Sequence, residues 1–144
     1  MRGIWIIAMI WGQAGVAQTT DPQAFDAGHA LYATNCASCH GINLEGQPDW
    51  RRRLDNGRMP APPHDASGHT WHHSYEDLFA ITKGGLGAVL PGYESNMPAF
   101  ADTLTDAEIR EILDFIASTW PPRQRAFFDE VSRNAVEASQ WCPA

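Results

Sequence analysis

Cys36-Ala37-Ser38-Cys39-His40 is the stretch from which the rest of the chain is read. Two thiols sit three positions apart, and an imidazole follows the second directly. The thiols are spaced for thioether bonds to the two vinyl groups of one haem, and His40 is placed to ligate its iron. This pentapeptide is a c-type haem attachment signature. Two other cysteine chemistries fit less well. A thioredoxin-like redox pair lacks the histidine and sits near a βαβ pattern, which this chain does not show. A structural zinc site needs two more close ligands of matching spacing, and none is obvious. One covalently attached haem c is therefore the expected cofactor.

Helical patterning surrounds the motif. Ala24 to Asn35, just upstream, carries small and apolar residues at helical spacing, with Asp21 as its candidate cap. Phe25, Gly28 and Tyr32 fall near one face of that helix. Downstream, Gly41 to Gly68 is rich in Gly, Pro, Asp and Asn and has no sustained periodicity, with at most a helical turn near Trp50 to Leu54. So long a structureless stretch is unusual inside a compact domain. It makes sense if the loop wraps something other than protein, such as a haem edge. Ser74-Tyr75-Glu76-Asp77 reads as a cap with an acidic first turn, and Gly84-Gly85 closes the helix it opens. Leu86 to Phe100 is loop again. Thr105-Asp106-Ala107-Glu108 fits a capping box, followed by the apolar stripe Ile109, Ile112, Leu113 and Ile116. Pro121-Pro122 stops that helix, and Arg123 to Ala138 forms one more amphipathic helix. No strand pattern or internal repeat stands out, so the expected class is all-α with long loops.

The first seventeen residues differ from the rest. Arg2 precedes the apolar run Ile4 to Trp11, and Gly15-Val16-Ala17 supplies small residues for cleavage before Gln18. This is the layout of a secretory signal peptide, with an uncleaved anchor as the alternative. The expected organisation is a signal peptide over 1–17 and one domain over 18–144, with a core of about 24–120 and a helical extension over 121–144. No transmembrane segment is expected after cleavage, and the location is periplasmic or otherwise exported. The formal charge is −7 and becomes −8 once Arg2 is removed. Such a surface argues against nucleic acid or an anionic membrane as partner and favours a redox protein with a basic docking patch.

The second axial ligand calls for a separate reading. Candidates are Met59, Met97, His29, His64, His69, His72 and His73. Met97 lies in the loop just before the last core helix, and Pro98 stiffens that loop. Met59 also precedes a proline, but it stands nineteen residues after His40, which leaves little chain for the far wall of a pocket. Either methionine could instead be core packing. Met97 is the favoured ligand.

Taken together, Gly28, Tyr32, Cys36, Cys39, His40, Met97-Pro98 and the helix with Ile112 and Phe115 resemble the monohaem class I cytochromes c, over residues 24–120. The resemblance implies a cytochrome c fold in which Gly28 and Tyr32 of the first helix cross Ile112 and Phe115 of the last core helix. It also implies a proline carbonyl accepting from the ring N–H of the proximal histidine, for which Pro48 is the matching candidate.

Pro63 to His73 holds four of the six histidines. Three readings stay open. Trp71 and His72 can donate to haem propionates, as the resemblance implies, since buried carboxylates need such partners. His64, His69, His72, His73 and Asp65 can instead ligate a second metal, although no spacing is diagnostic. The loop can also be a solvated docking face. Cys142 is left over, as a free thiol or an intermolecular link. The expected function is single-electron transfer between redox partners, with no catalytic residues. The alternatives are an electron-delivering subunit of a larger oxidoreductase, or a sensor or peroxidase-like protein with a displaceable sixth ligand.

Overall fold

A computed structural model describes residues 22–141. The candidate signal segment 1–17, the Asp21 cap and Cys142 lie outside the described residues. Among the described residues six helices follow one another: α1 (Pro22–Asn35), α2 (Ala37–His40), α3 (Tyr75–Gly84), α4 (Leu86–Val89), α5 (Asp106–Ser118) and α6 (Pro122–Trp141). A single 3-10 turn, Thr70–His72, precedes α3. No strand occurs among the described residues, so the all-α expectation holds.

The core is built where α1 crosses α5. Gly28 sits at the crossing because a side chain there has no room: a Cβ would run into the Glu111 carbonyl and stand 2.9 Å from the Cβ of Phe115. Phe115 then meets Phe25, His29 and Tyr32 at ring centroid distances of 5.3, 5.0 and 5.5 Å. Ile109, Ile112 and Ile116 fill the buried face of α5 beside it. The predicted crossing residues are thus brought together.

Caps place the remaining helices. The Ser74 hydroxyl accepts the backbone N–H of Asp77 at the start of α3, and Gly85 leaves its end at φ 76°. Thr105 and Glu108 form both arms of the capping box on α5. This satisfies donors that the first helical turn cannot pair internally. Pro122 opens α6 at the position where its missing N–H costs nothing. The predicted loop over Leu86 to Phe100 contains one short helix, α4, that its sequence did not signal. Near Trp50 there is a turn, Arg52 N–H to the Asp49 carbonyl, rather than a helix.

Phe128 of α6 is buried against Trp120 and Tyr75, at 5.0 and 6.2 Å between centroids. The Ser132 hydroxyl accepts the Tyr75 backbone N–H at 2.9 Å. The last helix therefore packs back across the start of α3 and the turn before it.

Candidate functional site

The cysteine motif spans the corner between α1 and α2. The Cys36 N–H bonds the Tyr32 carbonyl, and the His40 N–H bonds the Cys36 carbonyl at 2.9 Å, so the motif is wound as helix. Tyr32, fully buried on α1, donates its hydroxyl to the Gly41 carbonyl at 2.8 Å and fastens the far end. Cys36 is partly buried, Cys39 is exposed, and the two are not joined to each other. Burial, with the neighbouring Cys39, pushes the Cys36 thiol up to about 11. A thiol disulfide exchanger works through a thiolate of lowered pKa, and Cys36 is unlike one.

His40 is buried, and its Nδ1 lies 2.8 Å from the carbonyl oxygen of Pro62. A carbonyl only accepts, so Nδ1 carries the proton and Nε2 keeps its lone pair. Burial lowers the His40 pKa, and the Pro62 bond opposes that in part. The imidazole is thereby held in one tautomer, with Nε2 able to act as a ligand.

The acceptor differs from the expected Pro48, and the path of the chain explains the difference. After His40 the backbone turns back, with the Gly46 N–H on the His40 carbonyl at 2.7 Å. Pro48 then leads out into an exposed turn. The chain returns at Pro60 to His64, and the returning strand of loop pairs with the outgoing one. The Gln47 N–H bonds the Ala61 carbonyl at 2.9 Å, and the His64 N–H bonds the Leu44 carbonyl at 2.8 Å. Leu44 takes a left-handed conformation, φ 67°, which costs a branched residue about 1–2 kcal/mol and is held here by those bonds and by its burial. This pairing presents the Pro62 carbonyl to His40.

His64, a candidate ligand for iron or a second metal, lies directly against His40. Its ring stacks on His40 with centroids 4.0 Å apart and planes 20° apart. Its Nδ1 lies 2.8 Å from the Thr70 hydroxyl, which donates its own proton to the Pro63 carbonyl at 3.3 Å. The hydroxyl therefore accepts, and Nδ1 of His64 bears a proton too. Burial, then His40 and His69, hold the His64 pKa well below the usual range. Its carbonyl accepts the Trp120 indole N–H at 2.7 Å. So Trp120, just beyond α5, and the loop from Pro62 to Thr70 together brace His40.

Of the other loop histidines, His69 and His73 meet edge-on, 5.4 Å between centroids. His69 stacks flat on Trp50 at 5.3 Å. His72 is exposed beside Trp71 and Phe127. Among the described residues, no three of His, Cys, Asp and Glu gather as ligands for an ion. Trp71 differs from its neighbours: its indole N–H is buried and has no hydrogen-bond partner. Such a donor calls for an acceptor.

The two methionine loops meet. Arg58, next to Met59, donates to the Asn96 side chain, next to Met97, at 2.8 Å, and reaches Glu94 at 3.6 Å. The Met97 N–H bonds the Ser95 hydroxyl at 3.0 Å. Both methionines are partly buried, each one residue beyond this tether.

Comparison with known proteins bears on this arrangement. A family model described as cytochrome c matches residues 25–120. The cbb3-type cytochrome c oxidase subunit CcoP of Rubrivivax gelatinosus is 28% identical over 114 residues, covering 78% of this chain and 32% of that protein. The chain thus spans about a third of that relative's length. No solved structure matches.

Proposed function

The chain belongs to the cytochrome c family, and from that premise we propose that it is an exported, monohaem electron carrier with His40 and Met97 as axial iron ligands. The residues present fit haem c. Cys36 and Cys39 offer two sulfurs on one helical corner, and His40 offers an imidazole whose Nδ1 is committed to Pro62, which leaves the lone pair of Nε2 to bind iron. The buried, unpartnered Trp71 N–H offers a donor for a propionate. Bound haem supplies a one-electron ferric/ferrous couple.

The protein's own residues set the terms of that couple. The Pro62 carbonyl orients the imidazole and raises its basicity as a ligand. Stacked His64 and the Trp120 bond keep it from turning. Met97 would supply the second protein ligand to the iron, and a thioether there would favour the reduced state and a higher potential. Trp71, with exposed His72 beside it, would hold a propionate.

The observation that carries this reading is the His40–Pro62 bond directly beside the paired cysteines. The visible spectrum of the purified, matured protein tests it. A low-spin, six-coordinate ferric form is expected, with carbon monoxide excluded in the absence of denaturant. A high-spin, five-coordinate form would overturn the carrier reading in favour of sensing or peroxidase-like chemistry.

A second reading rests on the relative, which is named as an oxidase subunit. Here the chain delivers electrons to a partner's metal or flavin centre while bound to it. Co-purification with that partner at low salt tells the two apart. In either case the net charge of −7 favours a partner with a basic patch. Residues 1–17 would direct export, the domain would run from 18 to 144, and its core would span about 24–120 with the extension 121–144 after it. No helix of the described residues is long and apolar enough to cross a membrane.

A further inference from the structure

Helix α6 lies beyond the residues that the family model matches, yet it touches the segment that carries Trp71 at two places. We propose that α6 is a clamp that fixes the Trp71 indole N–H as the partner of a haem propionate, with Phe127 the positioning residue; this rests on the haem reading above.

A single 3-10 turn of three residues, Thr70–His72, cannot hold an indole by itself. Its own hydrogen bonds are few: His72 N–H to the His69 carbonyl at 2.9 Å and His73 N–H to the Thr70 carbonyl at 3.2 Å. Thr70 at its start is tied to His64 and Pro63, Trp71 packs on the core, and the residues after Thr70 are further supported by α6. The Phe127 ring stands edge-on to Trp71, 5.6 Å between centroids and 88° between planes. The same ring lies 5.5 Å from His72. Four residues beyond Trp71, Ser132 takes the Tyr75 N–H at 2.9 Å. Buried Phe128 wedges α6 against Trp120 and Tyr75 between these two points.

An open groove of about 440 Å³ borders the same place, lined by Trp71, His72, Arg123, Ala126, Phe127 and Glu130. Removing the Phe127 ring deepens this groove toward the buried indole N–H and lets water compete for it. A donor held on an anionic carboxylate draws off negative charge as felt at the iron. Loosening that donor favours the ferric state, so the midpoint potential falls.

The test uses the full, haem-loaded chain. Phe127→Ala is expected to shift the ferric/ferrous ratio at fixed potential about threefold toward ferric, or about 28 mV at 59 mV per tenfold for one electron. Phe127→Leu, which keeps apolar bulk, is expected to retain most of the wild-type value, and Val136→Ala on the exposed far part of α6 all of it. In a Trp71→Phe background, Phe127→Ala is expected to add nothing, because the two act through one N–H. An equal shift in both backgrounds, or no shift in either, overturns the proposal. Should Phe127→Ala fail to fold, hydrogen exchange of the Trp71 indole in Phe127→Ser decides: slow exchange in wild type that quickens in Phe127→Ser supports the clamp, and fast exchange in wild type or equal exchange in both overturns it. A wild-type chain that never attaches haem would instead refute the haem reading.

Discussion

The Nδ1 atom of His40 lies 2.8 Å from the carbonyl oxygen of Pro62, across twenty-two residues of sequence. Pro62 is followed by Pro63, so its backbone is confined to extended conformations and the carbonyl is held where the imidazole meets it. Replacing both prolines by alanine frees this segment. A weaker bond to the ring N–H makes the imidazole a poorer donor to ferric iron, so the midpoint potential is expected to rise. The unfolded chain also gains freedom, worth about 0.4–1 kcal/mol per proline. Pro48→Ala, in the exposed turn, is expected to leave the potential unchanged. Potentiometric titration of both variants checks this, and a shift confined to Pro48→Ala would refute the assignment.

Gly28→Ala tests the helix crossing. Alanine favours the helix by about 1 kcal/mol in isolation. Here its methyl group meets the Glu111 carbonyl, which is backbone and cannot rotate away. The crossing must open, at a cost of about 1–3 kcal/mol. Urea unfolding is expected to show net destabilisation, and an unchanged or raised midpoint would show that the crossing yields freely.

How far the sequence foretold the structure depended on the kind of signal each feature leaves. Side chains with one strong local role were legible: the Ser74 cap, the Thr105–Glu108 box, Gly28 and the apolar stripe of α5. The spacing of Cys36, Cys39 and His40 pointed to the family for the same reason. The Pro62 contact was not, because every residue has a carbonyl and only the returning path of the loop selects one. Pro48 was nearer in sequence, but Gly46 turns the chain away from it. His64 looked like a ligand because its residue type suits metals, and no pattern in the sequence marks a ring stacked on another histidine. Helix α4 was missed because two glycines flank or interrupt so short a segment. Trp71 was singled out as a propionate partner, and its buried N–H without a partner supports that reading.

Methionine substitution decides the second axial ligand. Met97→Ala is expected to abolish the sulfur-to-iron charge-transfer band in the ferric spectrum and to admit carbon monoxide to the ferrous form. Met59→Ala is expected to keep the band. Since Arg58 and Asn96 tie the two loops together, Arg58→Ala is expected to weaken the band without removing it. The reverse pattern, with Met59 essential and Met97 silent, would exchange the two assignments.

Acid stability carries a signature of Glu108. Its carboxylate accepts the Thr105 backbone N–H and bonds the Thr105 hydroxyl, and both hold its pKa below the usual value. A group lowered on folding stabilises above its unfolded pKa of about 4.3 and loses that contribution as pH falls through the folded value. The stability advantage of wild type over Glu108→Gln is therefore expected to shrink from about pH 5 to about pH 3. Denaturant titrations of both chains across that range check the sign, and an advantage that grows on acidification would contradict it.

The central claim is covalent attachment of one haem through Cys36 and Cys39, and intact mass after denaturation and acid-solvent extraction tests it most directly. The mature wild-type chain is expected to keep its colour and to exceed its polypeptide mass by one haem, while the Cys36→Ser, Cys39→Ser double variant loses both. A wild-type chain recovered at bare polypeptide mass, with its haem in the solvent, would contradict the account.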